Sequence, residues 1–234
     1  MSANALRYWI CAAMTLASLN TAAQECVVLL HGLARGAGSM SKLADALSAK
    51  GYAVVNHGYD STNHPIETLA EMAVPKALAE CPAGATVHFV THSMGGILVR
   101  QYLSSASIDK LGRVVMLGPP NQGSEVVDKL RGQALFRWLN GPAGLQLGTD
   151  AESVPKQLGP VEFELGVIAG TRSINLLLST ALPNPDDGKV SVASTRVEGM
   201  ADHLALPVTH PLMMRNSGVI KQVLHFLEQG SFKR

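Results

Sequence analysis

The sequence predicts an α/β domain: one mostly parallel sheet of about six strands with helices flanking it. Three observations lead there. Short apolar runs take turns with segments of helical periodicity along most of the chain. The runs are continuous rather than alternately polar and apolar, as expected of strands covered on both faces. The 234 residues are 47% hydrophobic and only 16% charged, a globular composition with material for one sizeable core.

Taken in order, residues 27–30 (VVLL) predict a first strand, followed by a Gly-rich loop, HGLARGAGSM. Ser39 can cap a helix running to about residue 50, where Gly51 ends it. Residues 52–57 (YAVVNH) predict a second strand, and residues 66–81 a helix that Pro75 can bend. Residues 86–91 (TVHFVT) form a third strand that runs at once into a helix over 94–104. Strands follow at 113–118 (RVVMLG), 164–170 (ELGVIAG) and 195–199 (TRVEG), and a helix over 217–228 closes the chain. Its Val219, Ile220, Val223, Leu224 and Leu227 share one face. The stretch at about 119–161 interrupts the alternation, rich in Gly and Pro around LFRWL at 135–139. It reads as a small cap or one wall of an acyl pocket over the carboxyl ends of the strands, with ordinary loop packing around Phe136 and Trp138 as the alternative.

A formal net charge of +1 gives no basic excess for a nucleic-acid partner. Residues 1–23 carry Arg7, an apolar run over 8–19 and small residues at Thr21 and Ala23, the pattern of a secretory signal peptide cut before Gln24. An uncleaved membrane anchor and an apolar first helix are the competing readings. Export would leave Cys26 and Cys81, an even pair suited to a disulfide in an oxidising compartment, periplasmic or extracellular.

The chemistry concentrates around Ser93. An apolar strand, THSMGG and an abutting helix supply the strand–turn–helix context of a nucleophile elbow, with Thr91 where the first glycine of that motif commonly stands. The helix amino terminus favours developing negative charge. Upstream, His31-Gly32-Leu33 closes the first strand, so the N–H groups of Leu33 and Met94 become the candidate oxyanion donors. A serine hydroxyl needs a base and the base an orienting carboxylate. Chain order leaves His203, His210 and His225; His225 lies in the last helix, and His210, ahead of that helix between Pro207 and Pro211, is chosen over His203. Asp187 and Asp186 are adjacent and inseparable by composition; the Asp-Gly-x-Val pattern favours Asp187.

These segments, with GPPNQGS at 118–124, DDGKV at 186–190 and VTHPLM at 208–213, resemble the bacterial lipase and esterase branch of the α/β-hydrolases, including compact exported members. The resemblance covers the chain from about Cys26 onward. It implies that fold without its first two strands, with Ser93, Asp187 and His210 as triad and Leu33 and Met94 as oxyanion donors. It further implies hydrolysis of a carboxylic ester, small-molecule or lipid, by a monomer that touches lipid surfaces at most transiently. Neither metal nor cofactor is needed. Thioesterase, amidase and acyltransferase chemistry use the same constellation, and a binding protein on the same scaffold is the rival of another class.

Overall fold

The computed structural model of the protein describes residues 24–174, 179–180 and 182–234. The leader expected at 1–23 lies outside the described residues. Six strands, β1 (Glu25–Leu30), β2 (Ala53–His57), β3 (Thr86–His92), β4 (Leu111–Leu117), β5 (Leu165–Gly170) and β6 (Asp202–Leu206), form one sheet in the order β2-β1-β3-β4-β5-β6. Every neighbouring pair is parallel. From β1 the chain steps outward to β2, then returns to β3 on the other side and continues one way to β6. The direction of winding reverses between β1 and β3, so the loops leaving those two strands diverge and open a crevice at their carboxyl ends.

The continuous apolar runs become strands because both of their faces are buried. Val27, Leu29, Val90, Val115 and Ile168 meet α1 (Ser41–Ser48) and the carboxy-terminal helix α7 (Ser217–Gln229) through Leu43, Leu47, Val223 and Phe226. The alternate residues Val28, Leu30, Phe89, Val114 and Met116 meet α2 (Ile66–Ala79) and α3 (Met94–Leu103) through Val74, Ala77 and Val99. Pro75 is accommodated inside α2. A disulfide joins Cys26 of β1 to Cys81 just beyond α2, with Cα atoms 5.9 Å apart.

Residues between β4 and β5 hold α4 (Glu125–Leu130), α5 (Ala134–Leu145) and α6 (Val154–Gln157). Gly141 interrupts α5 at φ 61°, and a β-carbon there would lie 1.6 Å from the Thr62 carbonyl oxygen, so this contact admits only glycine. Arg100 of α3 fastens the segment from beneath. Its buried guanidinium donates to the Asn121 carbonyl and Oδ1 and to the Pro155 and Gly159 carbonyls. Burial lowers its pKa to about 10, which leaves it charged at neutral pH.

Two expectations need correction. Residues 195–199 are a turn, not the last strand; the strand beside β5 is β6, whose Asp202–Leu206 pairs with Gly166–Gly170. Val197 is buried without being in the sheet, and Gly199 turns the chain at φ 88° against Val161. Ser39 does not cap α1: it lies in a 3-10 turn, Ala37–Met40, and donates to the Gly36 carbonyl.

Candidate active site

The crevice at the switch point continues as a cavity of roughly 460 Å³, within the range of small-molecule sites. Ser93, His210, Asp187 and Leu33 all line it. Each arrives from the carboxyl end of a different strand: Leu33 after β1, Ser93 after β3, Asp187 beyond β5 and His210 beyond β6.

Ser93 lies between β3 and α3 at φ 53°, ψ −123°, a conformation costly for any residue with a β-carbon, on the order of 1–3 kcal/mol. The packing around it holds that strain. At Gly95 a β-carbon would lie 2.5 Å from the Leu30 carbonyl oxygen, so α3 passes β1 too closely for a side chain. Thr91, at the motif's departing position, is fully buried, and Gly96 makes room for it: a β-carbon on Gly96 would lie 3.1 Å from Thr91 Oγ1 and 2.9 Å from Met116 Sδ. The second glycine of THSMGG thus compensates for the missing first one.

Leu33 is half-buried in the cavity wall, and Met94, the first residue of α3, is buried. Among the described residues neither of their backbone N–H groups has a backbone acceptor. The loop bearing Leu33 is fixed by His31. Its ring stacks on Tyr59 at 4.1 Å, Nδ1–H donates to the Gly32 carbonyl, and Nε2 accepts from the Tyr59 N–H. Burial pushes the His31 pKa down, consistent with this neutral tautomer.

His210 Nδ1 donates to Asp187 Oδ2 at 2.7 Å, with both side chains almost fully buried. Asp187 Oδ1 accepts from the Lys189 and Val190 N–H groups at 3.0 and 2.9 Å, and the His210 N–H donates to the Asp187 carbonyl. Asp186 faces elsewhere, accepting from the Gly188 N–H and the Ser179 hydroxyl. His203 sits in β6 with Nε2 2.9 Å from Thr195 Oγ1, away from this pair. Burial, reinforced by Arg196, drops its pKa to about 4. His225 lies in α7.

Two contributors gave no signal in the sequence. His92, beside Ser93, donates from Nε2 to the His210 carbonyl at 3.0 Å and tilts its ring against that of His210. Burial, then the neighbouring His210, drive its pKa well below the ordinary 6.5, so it is neutral. It occupies the variable position of the elbow, where residue type carries no expectation. Gly118 ends β4 at φ 56°, and a β-carbon there would come within 3.1 Å of both Asp187 Oδ2 and His210 Nδ1. A glycine directly after an apolar strand was visible, but its neighbours were not.

Among the described residues no group of three His, Cys, Asp or Glu side chains has a metal-binding arrangement. Likewise, no helix among them is long and apolar enough to cross a membrane.

A family model described as "Alpha/beta hydrolase family" matches residues 27–218. No curated protein sequence matches the chain. Among solved structures, the mature lipase BlEst2 of Bacillus licheniformis superposes with a TM-score of 0.66 at 17% identity, covering 88% of this chain and 93% of that one. Phospholipase PlaB of Legionella pneumophila gives 0.70 at 16% identity, over 90% of this chain and 60% of its own. The metagenomic carboxyl esterase MGS0156 gives 0.62 at 18% identity, over 81% and 65%. At such identities the likeness is one of fold.

Proposed function

The chain belongs to the alpha/beta hydrolase family, and from that premise we propose that it is an exported serine hydrolase that cleaves carboxylic esters. The observation that carries this reading is the buried His210–Asp187 pair, 2.7 Å apart, in the cavity that also holds Ser93 at positive φ.

In the proposed reaction Ser93 Oγ attacks the ester carbonyl carbon while His210 Nε2 takes the hydroxyl proton. Asp187 keeps the other imidazole proton on Nδ1 and stabilises the imidazolium. The N–H groups of Leu33 and Met94 meet the oxyanion; each such donor typically lowers the barrier by about 3 kcal/mol. As the bond to the leaving oxygen breaks, His210 returns its proton to the departing alcohol. Water, deprotonated by His210, then attacks the acyl-enzyme. The acid leaves and Ser93 regains its proton.

Apolar Val126, Val127, Phe136 and Leu147 line the cavity and suit an acyl chain. They come from the segment between β4 and β5, which we assign as a small cap. On its outside Leu135, Trp138 and Leu139 are exposed, 65%, 78% and 49% respectively, a surface suited to brief contact with lipid aggregates. The disulfide supports export, and with it removal of residues 1–23 as a signal peptide.

The test is hydrolysis of p-nitrophenyl esters from acetate to palmitate by the protein beginning at Gln24 and by its folded Ser93→Ala variant. A loss of at least ~10³-fold on substitution is expected. Equal activity of the two proteins would remove Ser93 as nucleophile. Inactivity of both across the series would favour a binding role on the same scaffold.

A further inference from the structure

The cavity is apolar inside and cationic at its opening. Arg35, in the turn that follows Leu33, and Lys189, in the turn that follows Asp187, both line it and both are exposed to solvent. Asp187 is the sole carboxylate among the described residues that line the cavity, and His210 and two backbone N–H groups already occupy its oxygens. Among the described residues, neither Arg35 nor Lys189 has an ion-pair or hydrogen-bond partner for its charged end. The rest of the chain, residues 1–23, 175–178 and 181, contains no Asp or Glu that could supply an ion pair.

Two cations sharing one opening raise each other's electrostatic free energy. Partial burial and the nearby Arg35 both lower the Lys189 pKa, and Asp187 offsets them only in part. The other charged or titrating neighbours do not relieve this: His92 is neutral, and Asp187 is already paired with His210. An anion at the opening would relieve it. The guanidinium offers a planar fork and the ammonium a compact point charge, a combination suited to an oxyanion.

We propose that Arg35 and Lys189 form an anion subsite, so that the preferred substrate is an acyl ester whose leaving alcohol carries a phosphate or a carboxylate. The acyl chain occupies the apolar interior, Ser93 meets the ester carbon, and the charged portion of the alcohol remains at the solvent side between the two cations. The reaction in this statement rests on the hydrolase reading above; the anion binding does not.

Three esters with one acyl chain separate the possibilities: octanoyl glycerol, octanoyl glycerol 3-phosphate and octanoyl glycerate. The quantity read is the ratio of kcat/KM for each anionic ester to that for the neutral one, a ratio in which any loss of folded protein cancels. The ratio should exceed one in the wild type and fall as sodium chloride is raised. In Arg35→Gln/Lys189→Gln it should fall by about tenfold, two partly exposed ion pairs' worth. The larger of the two ratios identifies phosphate or carboxylate as the recognised group. A wild-type ratio near one, or a ratio unchanged in the double variant, overturns the subsite while leaving ester hydrolysis intact. Calorimetric titration with octyl phosphate in the Ser93→Ala background reads the subsite without turnover. Weakening of Kd by about tenfold on replacing both cations supports it, and equal Kd values overturn it. Turnover of none of the three esters counts against the hydrolase reading alone, since the titration still decides the subsite.

Discussion

Replacing Asp187 by Asn changes one atom and should silence the enzyme. Oδ1 of Asp187 holds the Lys189 and Val190 N–H groups, so an amide in its place keeps its oxygen there. The amide NH2 then faces His210 Nδ1 across the 2.7 Å now bridged by a proton. Two donors cannot share that contact. Flipping the amide would set its NH2 against two backbone N–H groups instead of one imidazole N–H, which is worse. His210 must therefore move its proton to Nε2, the atom that has to accept from Ser93. The expected loss in kcat is ~10⁴-fold, about 5 kcal/mol in the barrier. The assay is p-nitrophenyl ester turnover beside a thermal unfolding curve, with Asp186→Asn as the control. Asp186 accepts from Gly188 and Ser179 and should be replaceable with less than tenfold change in kcat. Asp187→Asn retaining more than a tenth of wild-type activity, or Asp186→Asn losing as much, would refute the reasoning.

Removing the His92 imidazole (His92→Ala) frees the His210 carbonyl and should lower kcat about tenfold, one hydrogen bond's worth, while the folded fraction read by circular dichroism stays high. Gly118→Ala places a methyl against both Asp187 and His210 and should depress kcat far more than KM in the same ester assay. Mild acid should destabilise the fold through a buried histidine. His203, with its folded pKa near 4 against an ordinary 6.5, stays neutral while the unfolded chain takes up a proton. Its stabilisation is complete above pH 6.5 and is lost as pH falls toward 4, amounting to about 2 kcal/mol once partial exposure is discounted. The gap between urea midpoints at pH 7 and pH 5 should therefore narrow in His203→Gln, the remainder coming from the other buried histidines, His31 and His92; an unaltered gap would exclude this source. Cutting the 55-residue covalent loop by Cys26→Ala/Cys81→Ala should cost up to about 4 kcal/mol, read as a lower midpoint in the same titration.

Much of this architecture was legible because its signals are local. The apolar runs of β1, β3, β4 and β5 could be read directly, since strands buried on both faces carry few charged residues to blur them. The elbow was legible because strand, turn and helix are contiguous at 86–103. β6 was not: DHLAL is a partly buried edge strand with a polar start, and the buried Val197 upstream imitates a strand better than β6 does. Within the site, the choice of Asp187 over Asp186 rested on a four-residue pattern, whereas the geometry separates them by which carboxylate faces His210. His92 and Gly118 depend on contacts of β3 and β4 with the loop that carries His210, and the compensation of Thr91 by Gly96 on how α3 packs against β3. For His92 and Gly118 no window along the chain contains both halves of those contacts; Thr91 and Gly96 share one window, but only the packed strand and helix show that they touch.

The spread of the reactive groups over successive strand ends also sets a timetable. Ser93 and the loop of His31 belong to the first half of the chain, in which the disulfide closes a ring from Cys26 to Cys81 that includes His31. His210 comes within the last twenty-five residues and gains its orientation only when β6 has joined the sheet and Asp187 has met it. On the proposed mechanism, a chain that has not yet delivered His210 would hold Ser93 without the base that deprotonates it. On that mechanism activity would await the docking of β6 and the loop after it, and a truncation that removes His210 should abolish hydrolysis.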